Sequence, residues 1–189
     1  AACELWDNKR ALDYLYTRPE VDTARIACVG NSGGAMQAIY FAAFEPRIKA
    51  IAVASYLASR ERTFDLSGAP DGCAMIPGEG EALLEMSDYL IAAAPRPLMV
   101  LANRFDFIDY TSTLQSYKDL QRVYALLGDS AKLDLFTFDE GHGINNKQSS
   151  IAYWLKQWFQ PESECYPNAI NDELEIIKET DLLSKSTGQ

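Results

Sequence analysis

The chain has 189 residues, 48% of them hydrophobic and 23% charged, as in an ordinary globular domain. Its formal net charge of −10 argues against a nucleic-acid-binding surface and against docking on anionic lipid. No apolar run reaches the roughly 18 residues that a membrane-spanning helix needs. With a single histidine and four scattered cysteines, the sequence predicts no metal site. It also implies no organic cofactor. These properties favour a small-molecule substrate as the partner.

The amino-terminal residues predict a helix. Apolar side chains recur at three- and four-residue steps before Pro19, namely Leu5, Trp6, Leu12, Leu15 and Tyr16. No basic stretch followed by an apolar run precedes them, so no signal peptide is expected. The sequence reads as the middle of a longer protein.

Strands and helices are predicted to alternate along the chain. Four apolar runs predict buried strands at Arg25–Val29, Ile48–Ser55, Leu98–Ala102 and Leu133–Phe138. Helical periodicity predicts helices at Ala35–Phe44, Glu81–Ala93, Thr113–Leu127 with Gly128 as its cap, and Ser150–Phe159. This alternation is typical of a parallel sheet covered on both faces, so we expect an α/β fold built as a three-layer α/β/α sandwich.

The remaining segments are more polar. Tyr56–Glu79 is rich in glycine, proline and charge, and its side chains Arg60, Glu61, Arg62 and Asp65 form either a lid that touches substrate or a solvated loop. We expect residues 1–160 to form one catalytic domain. Residues 161–189 are predicted to be a polar extension with a helix candidate at Glu173–Leu183 and a frayed tail at Ser184–Gln189.

Side chains expected in the core include those of the last helix, Trp154, Trp158 and Phe159. Cys28 lies inside an apolar run and is predicted to be a buried thiol. The disulfide state of the other cysteines stays open, with one bond among them as an option: Cys3, Cys73 and Cys165.

The segment Gly30–Gly34 reads GNSGG and fits the pattern G-x-S-x-G. It follows a predicted strand and opens a predicted helix, which is the context of a nucleophile elbow. The glycines on either side of Ser32 are expected because side chains there would collide. We predict Ser32 as the nucleophile and the Gly33 N–H as an oxyanion donor at the helix N-terminus. The alternative is a Gly-rich turn in which Ser32 is an ordinary N-cap.

A serine nucleophile needs a base, and His142 is the only histidine of the chain. It follows the fourth predicted strand, at the carboxyl end of the sheet where α/β active sites gather. The acid that orients it is predicted to be Asp106, a few residues after the third strand, with Asp109 in reserve. The alternative role for Asp106 is a helix or turn cap.

These motifs resemble the carboxyl-terminal half of an α/β-hydrolase. The resemblance covers about residues 1–160 and includes GNSGG, the strand-end Asp106, the EGHG that contains His142, and the segment APRPLMVLANRFDFID. Within the superfamily, the chain resembles acetyl xylan esterase-like and dienelactone-hydrolase-like enzymes of polysaccharide-degrading bacteria. Dienelactone hydrolases have a cysteine nucleophile, so Ser32 favours ester hydrolysis. The resemblance implies a carbohydrate ester as substrate and a secreted or periplasmic location.

The resemblance also implies missing parts. The full fold has earlier strands, and its second oxyanion donor comes from a loop after one of them. The predicted strand at Arg25–Val29 would otherwise be an open edge that invites strand addition. We therefore expect a chain that pairs with an upstream portion or forms a homo-oligomer.

Two other functions remain open. A prolyl-oligopeptidase-type serine peptidase shares this catalytic half and would use the same three residues. An inactive, oligomerising fragment of the fold would account for the missing strands without any catalysis.

Overall fold

A computed structural model describes residues 1–68, 74–144 and 147–159. Six helices lie in these ranges: α1 (Ala2–Leu15), α2 (Gly33–Phe44), α3 (Arg60–Ser67), α4 (Met86–Ala93), α5 (Tyr110–Leu126) and α6 (Gln148–Phe159). Four strands alternate with them: β1 (Ala27–Asn31), β2 (Ala50–Ala54), β3 (Leu98–Asn103) and β4 (Leu133–Phe138). A short 3-10 turn, Ser130–Lys132, leads into β4.

The four strands form one parallel sheet in the order β1-β2-β3-β4. Each neighbour in the sheet is also the next strand in the chain, so every connection crosses over in the same direction. All four carboxyl ends therefore meet at one edge of the sheet. This confirms the predicted parallel sheet.

Helices cover both faces of the sheet. On β2, Ile51 and Val53 pack in a core with side chains from α2, α4 and α5. The alternate residues, all alanines, face α6, where Trp154 is 1% exposed. Small residues on that face leave room for the indole, which donates from Nε1 to Asp134 at 2.7 Å. The predicted three-layer sandwich and the core position of Trp154 are confirmed, and Trp158 and Phe159 pack against the same core.

Several boundaries differ from the prediction. β1 begins at Ala27, because Arg25 closes a turn on Asp22 O (3.1 Å), and it continues through Asn31, which pairs with Ala54. β2 is shorter than predicted at both ends. α4 begins only at Met86, since Glu85 and Asp88 form a reciprocal capping box at its start. Local hydrogen bonds set the starts of β1 and α4, and apolar periodicity alone does not locate such starts.

The charged connection after β2 contains a helix that the sequence analysis missed. Ser59 caps α3 by accepting from Arg62 N–H at 3.3 Å. Arg60 anchors the helix, because its guanidinium lies 2.8 Å from Glu79 and donates to Tyr40 Oη at 2.9 Å. Arg60 is therefore held by a largely buried polar cluster.

Two thiols fall within the described residues, and both are free. Cys3 is exposed; Cys28 is half-buried on β1, and burial raises its pKa to about 11, so the thiol is unreactive at neutral pH. Cys73, Cys165, the helix candidate Glu173–Leu183 and the tail lie outside the described residues. In the described part of the chain, no helix is long and apolar enough to cross a membrane.

Candidate active site

Ser32 lies on the sharp turn between β1 and α2, with φ 54° and ψ −122°. A non-glycine residue with this φ is strained, and such strain at a strand-to-helix turn is typical of a nucleophile elbow. The turn is held on both sides, because Ser32 N–H donates to Ala54 O at 2.9 Å and Ser32 O accepts from Met36 N–H at 3.0 Å. Ser32 is thus presented at the carboxyl edge of the sheet.

Ser32 also occupies the N-cap position of α2, yet its side chain makes no capping hydrogen bond. The geometry therefore gives no support to the alternative of an ordinary capping serine. Gly33 and Gly34 are exposed in the first turn of the helix. Their N–H groups lack intrahelical partners, as at any helix N-terminus, and can face a developing negative charge.

The glycines around the elbow are not equivalent. A Cβ at Gly30 would clash with the backbone carbonyl of Gly34, whereas a Cβ at Gly34 would meet nothing within 4 Å. The expected steric need for glycine is therefore right at Gly30 and wrong at Gly34.

Gly30→Ala is expected to lower the free energy of unfolding by about 3 kcal/mol, since backbone must move to relieve the clash. Gly34→Ala is the matched control and should be neutral or stabilising by up to about 1 kcal/mol, because alanine favours a helix. Urea unfolding of both variants measures the difference. Equal stabilities would contradict the close approach at Gly30.

The structure brings two of the predicted site residues together. His142 Nδ1 lies 2.8 Å from Asp106 Oδ1, joining the loops that follow β4 and β3. The Asp106 side chain is 1% exposed and that of His142 is 27% exposed. The imidazole packs against the Phe107 ring at a centroid distance of 4.2 Å. A buried carboxylate thus holds Nδ1, which leaves Nε2 as the nitrogen that can exchange a proton with a substrate-side group.

Asp106 is kept ionised by its surroundings. Burial raises the pKa of its carboxyl, but hydrogen bonds from Ile108 N–H, Ser55 and His142 outweigh burial and hold the pKa below the ordinary value. The contact with Ile108 N–H is 3.0 Å long and closes a local turn. Asp106 therefore has a turn-capping contact as well as its bond to His142.

The lowered pKa of Asp106 predicts a pH effect on stability. The ionised carboxylate stabilises the folded chain at neutral pH, and this contribution is lost as the pH falls below about 4 and through the folded pKa. In Asp106→Asn the contribution is absent throughout. The stability difference between the two proteins should therefore narrow in acid, as measured by urea unfolding at pH 3 to 7. A difference that widens in acid would have the wrong sign.

Asp109, the reserve candidate, caps α5. Its Oδ1 accepts from Ser112 N–H at 2.6 Å, and its Oδ2 lies 3.6 Å from Arg62 Nε. Among the described residues, no hydrogen bond joins Asp109 to His142. Of the two aspartates, the geometry therefore places only Asp106 beside the imidazole.

Ser32 is not in hydrogen-bond contact with His142 in the described part of the chain. Its strand, β1, is separated from β3 by β2, and all three carboxyl ends lie at the same sheet edge. The catalytic roles of these three residues and the oxyanion role of Gly33 remain predictions.

The loop that contains His142 rests on a buried lysine. Lys147 Nζ lies 2.7 Å from Glu140 Oε2 and donates to Gly143 O at 3.0 Å, and its side chain is 1% exposed. It also lies 4.9 Å from the centre of the Phe138 ring. One ammonium therefore holds both ends of the segment 140–143.

Lys147→Met is expected to destabilise the fold by about 2 kcal/mol, because charge-assisted hydrogen bonds in a buried setting are lost. Lys132→Met is the matched control. Its ion pair with Asp129 is similar in length, 2.8 Å, but both side chains are about a third exposed, so the expected loss is below about 0.5 kcal/mol. Thermal unfolding of both variants measures the two losses of stability. Equal losses would mean that the contacts of Lys147 stabilise the fold no more than an exposed ion pair does.

A cleft of about 490 Å³ adjoins the pair. It lies between α3 and the start of α5, and six of its lining residues are Leu66, Ser67, Arg104, Phe107, Tyr110 and Thr111. Within the residues that the structure describes, no group of three or more His, Cys, Asp or Glu side chains could hold a metal ion.

Comparison with known proteins gives one family match and many structural matches. Residues 5–74, which include the elbow, match the acetyl xylan esterase (AXE1) family. No curated protein sequence matches the chain. Among solved structures, Methylesterase BT1017 superposes with a TM-score of 0.71 at 24% identity. A carbohydrate esterase family 15 glucuronoyl esterase from Caldicellulosiruptor kristjansonii gives 0.67 at 14%, and the glucuronoyl esterase catalytic domain from Hypocrea jecorina gives 0.65 at 19%.

The chain has the α/β-hydrolase fold. Between 82% and 84% of its length is covered in these superpositions. It spans 35% of the methylesterase chain, 49% of the Caldicellulosiruptor enzyme and 51% of the Hypocrea catalytic domain. The predicted fold class is thereby confirmed.

Two further residues of this chain lie beside the Asp106–His142 pair and were overlooked in the sequence. Ser55 follows β2 and Asn103 ends β3. A signal was available, because both are polar residues at the carboxyl ends of buried strands, the same position that identified Asp106 and His142.

Proposed function

We propose that this chain is the catalytic part of a serine carboxylester hydrolase that acts on carbohydrate esters. The observation that best supports it is the strained turn at Ser32, with its uncapped helix N-terminus. The buried contact of Asp106 with His142 at the same sheet edge supports it further. Together they supply a nucleophile, an oriented base and an oxyanion donor.

In the proposed mechanism, Ser32 Oγ attacks the ester carbonyl while His142 Nε2 takes the hydroxyl proton. The Gly33 N–H donates to the oxyanion of the tetrahedral intermediate. Collapse of that intermediate breaks the bond to the alcohol, which leaves with the proton from His142. His142 then takes a proton from water, the resulting hydroxide attacks the acyl-serine, and the acid is released with Ser32 regenerated. Asp106 stays ionised and stabilises the imidazolium throughout.

The substrate class rests on similarity. The matched family is described as an acetyl xylan esterase, and the similar structures are a methylesterase and glucuronoyl esterases. A cleft of about 490 Å³ beside Asp106 and Phe107 is large enough to admit part of a sugar unit. We place acetylated plant polysaccharide first among the substrates, and a location outside the cytoplasm follows from the same resemblance.

The test is labelling of the chain with a fluorophosphonate, with the adduct located by mass spectrometry, followed by assays on 4-nitrophenyl acetate and acetylated xylan. The expected result is one adduct, on Ser32, and ester turnover that the adduct abolishes. An adduct elsewhere, or none on either this chain or one extended upstream, would overturn the proposal. Faster hydrolysis of a dipeptidyl anilide than of the acetyl ester would favour the prolyl-oligopeptidase type instead.

A further inference from the structure

Asn103 lies at the point where three of the active-site loops meet. It ends β3 and is 3% exposed. Its Nδ2 donates to Ser55 Oγ at 3.2 Å and to Gly143 O at 3.0 Å, and lies 3.5 Å from Asp106 Oδ2. One amide thus touches the residue after β2, the acid after β3 and the loop after β4.

The donors and acceptors in this cluster form a consistent chain. One Nδ2 hydrogen is directed at Gly143 O, and the other lies on the side of Ser55 Oγ and Asp106 Oδ2, which are 3.2 and 3.5 Å from Nδ2. The other carboxylate oxygen, Oδ1, accepts from His142. Both sides of the Asp106 carboxylate are therefore held, one by the imidazole and one by Asn103 and Ser55.

The orientation of the amide is set by these contacts. If the Asn103 amide were reversed, its oxygen would face the Gly143 carbonyl and the Asp106 carboxylate, which are both acceptors. In the observed orientation Oδ1 is buried with no partner among the described residues. The two N–H groups of the amide therefore face three acceptors on the Nδ2 side, whereas its own oxygen is left unpaired, which indicates that the amide is held through its N–H groups.

The backbone conformation of Ser55 also indicates that this side chain is held in place. Ser55 is 5% exposed and has φ 57°, in the left-handed region that favours glycine. A strained serine at the end of a central strand persists only where its side chain is held by its surroundings. Here the hydroxyl accepts from Asn103 Nδ2 at 3.2 Å.

We propose that Asn103 is a positioning residue that, with Ser55, locks the Asp106 carboxylate and the His142 loop into one arrangement. The proposal rests on the proposed function for its catalytic consequence. Its structural content, that loss of the amide releases the Asp106–His142 contact, stands without any activity.

The first test is the NMR signal of the His142 Nδ1 proton in ¹⁵N-labelled protein. His142 is the sole histidine of the sequence, so the signal needs no further assignment. Wild type should give a downfield proton that Asp106→Asn removes. Asn103→Ala is expected to lose or broaden this proton signal. Ser55→Ala removes the hydroxyl that accepts from Asn103 and should weaken the signal. It replaces Asn103→Ala as the test variant if Asn103→Ala fails to fold.

Tyr117→Phe is the matched control. It removes another buried hydrogen bond, from Tyr117 Oη to Leu133 O at 3.3 Å, on the opposite end of the strands from the site. The control should keep the downfield proton. An unchanged signal in folded Asn103→Ala, or in Ser55→Ala if only that variant folds, would overturn the proposal, and so would its equal loss in Tyr117→Phe.

The second test is kinetic. Asn103→Ala should lower kcat for an acetyl ester by about 10²-fold with little change in KM, because the reacting groups are misplaced. In an Asp106→Asn background the same change should cost less than about threefold, since the residue acts through Asp106. Fully additive losses would mean a merely structural role and overturn the proposal. A wild type without turnover or labelling would instead defeat the proposed function, and the NMR test would still decide the role of Asn103.

Discussion

Ser32→Ala should reduce ester hydrolysis by about 10⁶-fold and abolish fluorophosphonate labelling. The change removes the attacking oxygen, and any residual rate would come from the Gly33 N–H and substrate binding alone. Because the Ser32 side chain makes no capping hydrogen bond to α2, its loss should leave the free energy of unfolding within about 0.5 kcal/mol of wild type. Steady-state kinetics and urea unfolding measure the two quantities.

Ser87→Ala is the control for that experiment. Ser87 is a serine on α4 that is 7% exposed and forms no part of the proposed site. It should keep full turnover and the same adduct. If Ser32→Ala retained turnover, another nucleophile would act and the elbow would be only a strained turn.

The sequence predicted those features of the site that depend on residues close together in the chain. GNSGG lies between an apolar run and a helical period, and the structure forms the predicted turn between β1 and α2. Likewise Asp106 and His142 were chosen because each follows a buried strand, and parallel strands bring their carboxyl ends to one edge. Position along the strands was therefore enough to nominate His142 and two candidate acids, Asp106 first and Asp109 in reserve.

The sequence did not predict features that depend on contacts between separate segments of the chain. α3 has little apolar character, and its anchor is the ion pair of Arg60 with Glu79, which are far apart in the chain. The sequence analysis placed Asn103 just after the third predicted strand and gave it no role, and its contacts with Ser55 and Gly143 appear only in the folded chain. The choice between Asp106 and Asp109 also needed the structure, because both follow the same strand.

Asp106→Asn should lower kcat/KM by about 10⁴-fold, whereas Asp109→Asn should change it less than about threefold. An amide at position 106 no longer stabilises the imidazolium and can favour the wrong tautomer of His142, whose Nδ1 lies 2.8 Å away. At position 109 the side chain caps α5, and asparagine caps a helix about as well as aspartate. The two variants make the same chemical change three residues apart, so each controls for the other.

The pair of variants also separates catalysis from stability. Asp109→Ala should lose about 1 kcal/mol of stability with its cap, yet keep its turnover. Asp106→Asn should lose turnover even when it is fully folded at the assay temperature. If Asp109→Asn lowered kcat/KM more than Asp106→Asn, Asp109 would be the acid and would have to reach His142 in a different loop arrangement. The contacts of Asn103 and Ser55 around Asp106 would then have no catalytic role.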